Sequence, residues 1–233
     1  MGSHDEADSV THYLQSIAKV PLLSRPDELK YGFQMLEGRQ KIAATVGSKK
    51  SLKILSDLIK DTTDEEDEEI VALQTLIMSP TSDNLKLIKE YVTFVDFDVL
   101  VKYCNSIPKL LPLLASVRKA RDILISSNLR LVVSVAKQYT NVGMAFLDLI
   151  EEGNIGLIKA VDKFNPHRES KLSTLATWWI RQAVIRSLSN KSRTIRVPVH
   201  MVDAVNRAYK KISALHGRAP TPVEMLKELN MPN

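Results

Sequence analysis

Apolar residues in this chain recur at intervals of three and four and hardly ever at two, the spacing of helices buried along one side. The most regular case runs from Ala145 to Phe164, where Phe146, Leu149, Ile150, Gly153, Leu157, Ala160, Val161 and Phe164 make one continuous stripe. The other side of that helix carries Leu147, Asp148, Glu151, Asn154, Ile155 and Ile158, with Glu152 at the margin. Acids mixed with exposed aliphatics suit a protein docking surface better than plain solvent. A glycine inside a helix costs about 1 kcal/mol. Gly153 lies on the stripe, where close helix packing accounts for it. Gly156 does not, and backbone approach by a partner is the expectation there.

The stretch STLATWWIRQAVIRS, Ser173 to Ser187, holds the only two tryptophans. At about 100° per residue, one face collects Ala176, Ile180, Ala183, Val184 and Leu188, enough for a core contact. The opposite face collects Leu175, Trp178, Trp179, Gln182, Ile185 and Arg186. An amide and a guanidinium there are groups that make bidentate contacts to base edges. On residue type alone, burial of both sides is the commoner outcome for such a helix, so the context has to decide.

Elsewhere the pattern predicts two helices over residues 8–46, broken at VPLLSRPDE, with Ser24 as cap and Pro26 in the first turn. Residues 47–112 differ in texture: short helical pieces, breaks at SPTSDN and SIPKLLP, and an acidic run read as a solvated loop or helix start. One long helix is expected from Ala115 to Tyr139, with Leu124, Leu129, Val132, Val133 and Ala136 inward and Asn128, Arg130, Lys137 and Gln138 outward. TNVG and NPHRES are turns. The tryptophan helix is expected from about Lys171 to Asn190, with Ser170 as cap. KSRTIRVPVH reads as an extended basic connector, because the residue before Pro198 resists helix. A further helix covers 199–216, and TPVE at 221–224 is a capping box. The short run after it is read as the truncated end of a longer domain, and the MGSH at residues 1–4 as a tag remnant.

Composition changes the picture mainly through charge. The 233 residues are 44% hydrophobic and 25% charged, with eight glycines and ten prolines, an ordinary profile for a soluble helical protein. A single cysteine, Cys104, excludes an internal disulfide and a cysteine-rich zinc site; it is expected as a small buried hydrophobe in a reducing compartment. No apolar run reaches membrane-span length, and the N-terminus is not signal-like. The net charge of +5 conceals seven acids between Asp61 and Glu69, without which the remainder stands at +12. Between Lys163 and Arg196 there are eight Lys or Arg and one acid, Glu169. Such a patch tracks a phosphate backbone, and interleaved aromatics make it more than a solvated face. The five histidines are scattered, and there is no Gly-rich phosphate loop or His–carboxylate cluster, so no catalytic or cofactor site is expected.

Three segments together carry a resemblance: NLRLVVSVAKQYTNVGMAFLDLIEEGNIGLIKAVDKF, STLATWWIRQAVIRS and SRTIRVPVHM. They resemble the core of the bacterial sigma-70 family of transcription initiation factors over about residues 115–232, and DSVTHYLQSIAKVPLLS resembles the family's region 1.2. The resemblance implies an all-α fold, a multi-helix bundle of region 2 type followed by a small three-helix domain of region 3 type. It implies region 1.2-like helices at 5–46, a non-conserved helical insertion at 47–112, a region 2-like domain at 113–192 and a truncated region 3-like domain at 193–233. It implies a non-catalytic subunit without cofactor or metal that binds core RNA polymerase, recognises the promoter minus-ten element and holds the melted non-template strand. Leu147, Asp148, Glu151, Glu152, Asn154, Ile155 and Ile158 then face the clamp helices of the polymerase largest subunit. Trp178 and Trp179 act as a wedge at the upstream fork, while Gln182 and Arg186 approach positions still paired. Asn128 and Ser173 flank a pocket for a flipped base, with Leu175, Arg168 and Lys171 beside the strand. Arg193 and Arg196 hold phosphates, and His200 and Asp203 lie on the helix that reads an extended minus-ten sequence. A regulatory protein of the anti-sigma kind is a further partner such a subunit accommodates. The implied compartment is the bacterial cytoplasm, with a plastid stroma also open.

The match has departures. Housekeeping members carry aromatics before the tryptophans, including a tyrosine that stacks on the first flipped adenine; here those places read Ser170, Leu172 and Leu175. Ile185 stands where a hydrogen-bonding threonine is common. Leu175 packs against a base without offering a π-face, so weaker melting or a changed element preference is expected, as in a specialised alternative factor. The competing reading is a stand-alone helical DNA-binding regulator, against which the acidic docking face speaks. A third, a protein-binding scaffold, requires buried tryptophans.

Overall fold

A computed structural model of the chain describes residues 2–47, 49–62, 76–77, 81–140, 142–168, 170–191 and 197–229; the side chains of residues 2–7, 49–50, 59–62, 199–200, 202–203 and 206 lie outside that description. The described residues are all-α, with no strand among them. In chain order the helices are α1 (Gly2–Ala18), α2 (Arg25–Ala44), α3 (Lys49–Thr62), α4 (Ser82–Phe94), α5 (Phe97–Asn105), α6 (Leu111–Ser126), α7 (Leu129–Ala136), α8 (Phe146–Asp162), α9 (Leu172–Lys191), α10 (Val199–His216) and α11 (Pro222–Glu228). None is long and apolar enough to cross a membrane.

Local chemistry sets the helix ends as the sequence predicts at two places. Ser24 caps α2, its Oγ accepting from the Asp27 N–H with Pro26 in the first turn. Thr221 and Glu224 form a reciprocal capping box on α11, with Pro222 at its start. Two other expectations need correction. The helix expected over 115–139 is two helices, because Asn128 (φ −109°, ψ 5°) leaves the helical region. Its amide Nδ2 donates to the Leu124 carbonyl at 2.7 Å, taking the place of the next helical N–H, and the Asn128 N–H turns back three residues to Ile125. This is the competition between a side-chain amide and the backbone ladder that breaks helices at asparagine. The second correction concerns α9, whose first N–H is satisfied not by Ser170 but by Glu28 of α2: Leu172 N donates to its Oε1 at 2.8 Å.

One hydrophobic cluster runs from Ile17 to Leu188 and binds α1 through α9 together. The α8–α9 pair is its most extensive contact and α2–α6 the next. In α8, Leu149, Ile150, Gly153, Leu157, Ala160 and Val161 are buried as the stripe predicts, while Phe146 is only partly buried and Gly156 and Asp162 join the buried set. Gly156 thus faces no external partner. A Cβ there would stand 2.6 Å from the Trp179 carbonyl oxygen and 2.9 Å from Ile180 Cα. The glycine lets α9 lie directly on the α8 backbone, and this sets the height of the tryptophan helix over the core.

The region between α3 and α6 is joined to the rest by a charge cluster that hydrophobic periodicity does not reveal. Arg39 on α2 is buried, and its Nη2 donates to Asp162 Oδ1 at 2.8 Å while Nη1 donates to the carbonyls of Thr93 and Val95 at 3.2 and 3.0 Å. Arg121 on α6 closes the set with bonds of 2.9 and 3.1 Å to the two oxygens of the same carboxylate. Burial pulls the Arg39 guanidinium below its ordinary range, opposed by the charge of Asp162. Removing one member of such a set leaves a buried charge without compensation, at a cost of about 3–5 kcal/mol.

Candidate nucleic-acid and polymerase interfaces

The tryptophan helix shows its two sides as opposites. Leu172, Ala176, Ile180, Val184, Ser187 and Leu188 are buried, and this side rests on α8. On the other side Trp178 is 58% exposed, and Gln182, Ile185 and Arg186 are exposed beside it. Trp179 is partly buried against the core. Its ring meets that of Trp178 edge to face, centroids 5.1 Å apart at 86°. Lys163, at the end of α8, holds its ammonium 5.3 Å from the Trp179 ring centre. A cation over the indole face is attracted by its quadrupole, which helps keep Trp179 in place as the support on which Trp178 stands outward.

Around this pair the basic residues are at the surface. Lys163, Arg168, Lys171, Arg181, Arg186 and Lys191 are all exposed. Ser173 and Leu175 are partly buried in the first turns of α9. Asn128 is partly buried, with one of its amide N–H groups donating to the Leu124 carbonyl. Arg193 and Arg196 lie outside the described residues. His200 and Asp203 fall in the first turns of α10, their side chains outside the description.

On α8, Asp148 and Glu151 are exposed and Ile155 is 48% exposed. Leu147, Glu152, Asn154 and Ile158 are partly buried. Asn154 donates to the Tyr13 hydroxyl of α1 at 3.4 Å, so α1 borders this face. Glu152 accepts from Lys191 of α9 at 2.5 Å. The lysine is held well in its charged form by this bond and by the charges of Glu152, Asp148 and Glu151. One helix thus offers acids and aliphatics outward, and the helix packed upon it offers aromatics and cations.

Four contributors were not singled out from sequence. Lys163 is in the right register only because α8 ends where Trp179 crosses it. Arg25 and Glu28 reach the start of α9 from far along the chain, Arg25 donating to the Ser170 carbonyl at 3.4 Å. Tyr13 becomes visible only once α1 lies against α8. None of these has a local signal; each depends on which helices become neighbours.

Comparison with known families matches the two parts that build this arrangement. Residues 8–41, which span most of α1 and α2, match sigma-70 factor region 1.2. Residues 124–194, from the end of α6 through α9, match sigma-70 region 2. The two matches fall in family order on segments that the fold brings together, and the chain belongs to the sigma-70 family of RNA polymerase sigma factors.

Proposed function

We propose that the outward face of α9 recognises the promoter minus-ten element and holds the non-template strand once it is melted, while the outward face of α8 docks on the clamp helices of the polymerase largest subunit. Membership of the family assigns the chain to transcription initiation, with core RNA polymerase and promoter DNA as its partners; sigma-70 factors are regulatory subunits and not enzymes. The observation that carries the finer reading is the 58% exposure of Trp178 on a helix whose opposite side is fully packed. An exposed indole backed by a second one, beside an amide and several cations, binds unstacked bases better than paired ones, which is the differential that melting requires. In this reading Gln182 and Arg186 meet the upstream paired positions, Asn128 and Ser173 border a flipped base, and Arg168, Lys171, Arg193 and Arg196 meet phosphates. His200 and Asp203 read the duplex upstream. Residues 47–112 form the insertion and 193–233 a region 3-like part, and an anti-sigma regulator would compete for the α8 face.

Leu175 lies where the family presents a tyrosine. It is partly buried and packed against the core, so it offers an edge of aliphatic surface and no π-face. The test is fluorescence of a base analogue at the flipped position of a minus-ten promoter, with the chain assembled on core polymerase. Trp178→Ala is expected to lower the opening equilibrium by about 5- to 150-fold, corresponding to about 1–3 kcal/mol of stacking, and Leu175→Tyr to raise it. Unchanged opening in both variants would sink the reading. Tight, sequence-specific binding of duplex promoter without polymerase would replace it by the stand-alone regulator.

A further inference from the structure

Lys191 is the last residue of α9, and its helical position turns it toward α8, away from the Trp178 face. Its ammonium meets Glu152, a residue of the acidic α8 face whose side chain is 19% exposed. Two neighbouring acids of that face, Asp148 and Glu151, add their field to the same lysine. The end of the promoter helix thus places a cation on the surface that a positively charged partner would have to reach. We propose that the Lys191–Glu152 pair is a breakable tether: it ties the C-terminal turn of α9 to the polymerase-facing helix in the free chain, and a cation of the polymerase competes with Lys191 for Glu152.

The inference rests on the proposed docking role of α8 and adds a consequence to it. While the tether is closed, Lys191 screens the acidic face and repels an incoming cation. When polymerase takes Glu152, the last turn of α9 loses its fixed point on α8. Docking and the fixing of the last turn of α9 then change together. The lysine side of the pair is exposed to solvent, where ion pairs are weak, so the coupling is a modulation of a few-fold and not a lock.

The experiment measures affinity of the full chain for core RNA polymerase in a double-mutant cycle with Lys191→Met and Glu152→Gln. Lys191→Met is expected to tighten binding by two- to fivefold and Glu152→Gln to weaken it. In the Glu152→Gln background, Lys191→Met should have less than half its original effect. Amide exchange of residues 188–191 in the free chain should rise in both single variants, and in the unmodified chain when polymerase is added. Equal or weaker binding of Lys191→Met, or an equal gain in both backgrounds, overturns the tether while leaving the docking reading intact. If Glu152→Gln and Asp148→Asn both leave affinity unchanged, the docking reading and the tether fall together.

Discussion

The α8–α9 pair and the α3–α5 region handle their polar groups in opposite ways. In α8–α9 the inner sides are almost purely apolar, and Trp178, Gln182 and Arg186 on one helix and Asp148, Glu151 and Ile155 on the other are exposed away from the contact. The α3–α5 region instead meets the rest of the chain through inward polar groups: the carbonyls of Thr93 and Val95 accept from the buried Arg39 of α2, which also binds the Asp162 carboxylate of α8. A charge at a surface is available to a partner. A charge sealed among helices serves to fix which helices meet, and losing its counter-charge is far more destructive than losing a surface group.

That contrast is open to direct attack, beginning with its largest expected effect. Asp162→Ala leaves Arg39 and Arg121 facing one another without a carboxylate, and should destabilise the chain by about 3–5 kcal/mol, read as a shifted midpoint in denaturant unfolding. A loss under 1 kcal/mol would mean that the cluster does not unite the two regions. Gly156→Ala comes next. The new methyl meets backbone atoms of α9 that have little room to move, and overpacking of this kind costs about 1–3 kcal/mol. Trp178→Ala in the same assay should stay within about 0.5 kcal/mol and affect only promoter opening. Similar losses in Gly156→Ala and Trp178→Ala would erase the distinction between packing side and binding side.

The smallest effect concerns α11. The Arg218 guanidinium, with help from the Thr221 N–H and hydroxyl, holds the Glu224 carboxyl down at about 2 from an ordinary 4.5. Because the folded value is depressed, the contribution of this cap is complete above pH 4.5 and disappears as the pH falls toward 2. Exchange of the amides in the first turn of α11 should therefore accelerate through that window, beyond the intrinsic pH trend of an unprotected amide. Arg218→Ala should shift the midpoint upward. A pH profile identical in both forms would show the ion pair to be idle. By the same reasoning Cys104 is no reactive site, since burial pushes its thiol up to about 11.

How far the sequence could be read differs between the same two regions. The inward set of α9 was largely legible from a helical wheel, since Ala176, Ile180, Val184 and Leu188 are buried and Ala183 is partly so. So were the caps at Ser24 and Thr221, because each involves groups within four residues. The break at Asn128 was missed, since the flanking apolar period continues through it and only the amide's choice of the Leu124 carbonyl interrupts the helix. Gly156 was assigned to an external partner because its neighbour, the Trp179 carbonyl, is more than twenty residues away. The Arg39–Asp162–Arg121 set went unseen for the same reason, as it joins groups from three helices that no local pattern connects.

Taken alone, the chain of residues determined the helical class, the amphipathic stripes, the local caps and the family, because each is written in spacings of a few residues or in long ordered motifs. Only the tertiary structure decided which side of α9 stays open, which helix caps its start, and which acid of α8 is already held by a lysine. Those outcomes depend on groups that meet from 39 to 144 residues apart or across the α8–α9 contact, and the geometry of such meetings is set by packing, where a single missing Cβ or one buried carboxylate selects the neighbour.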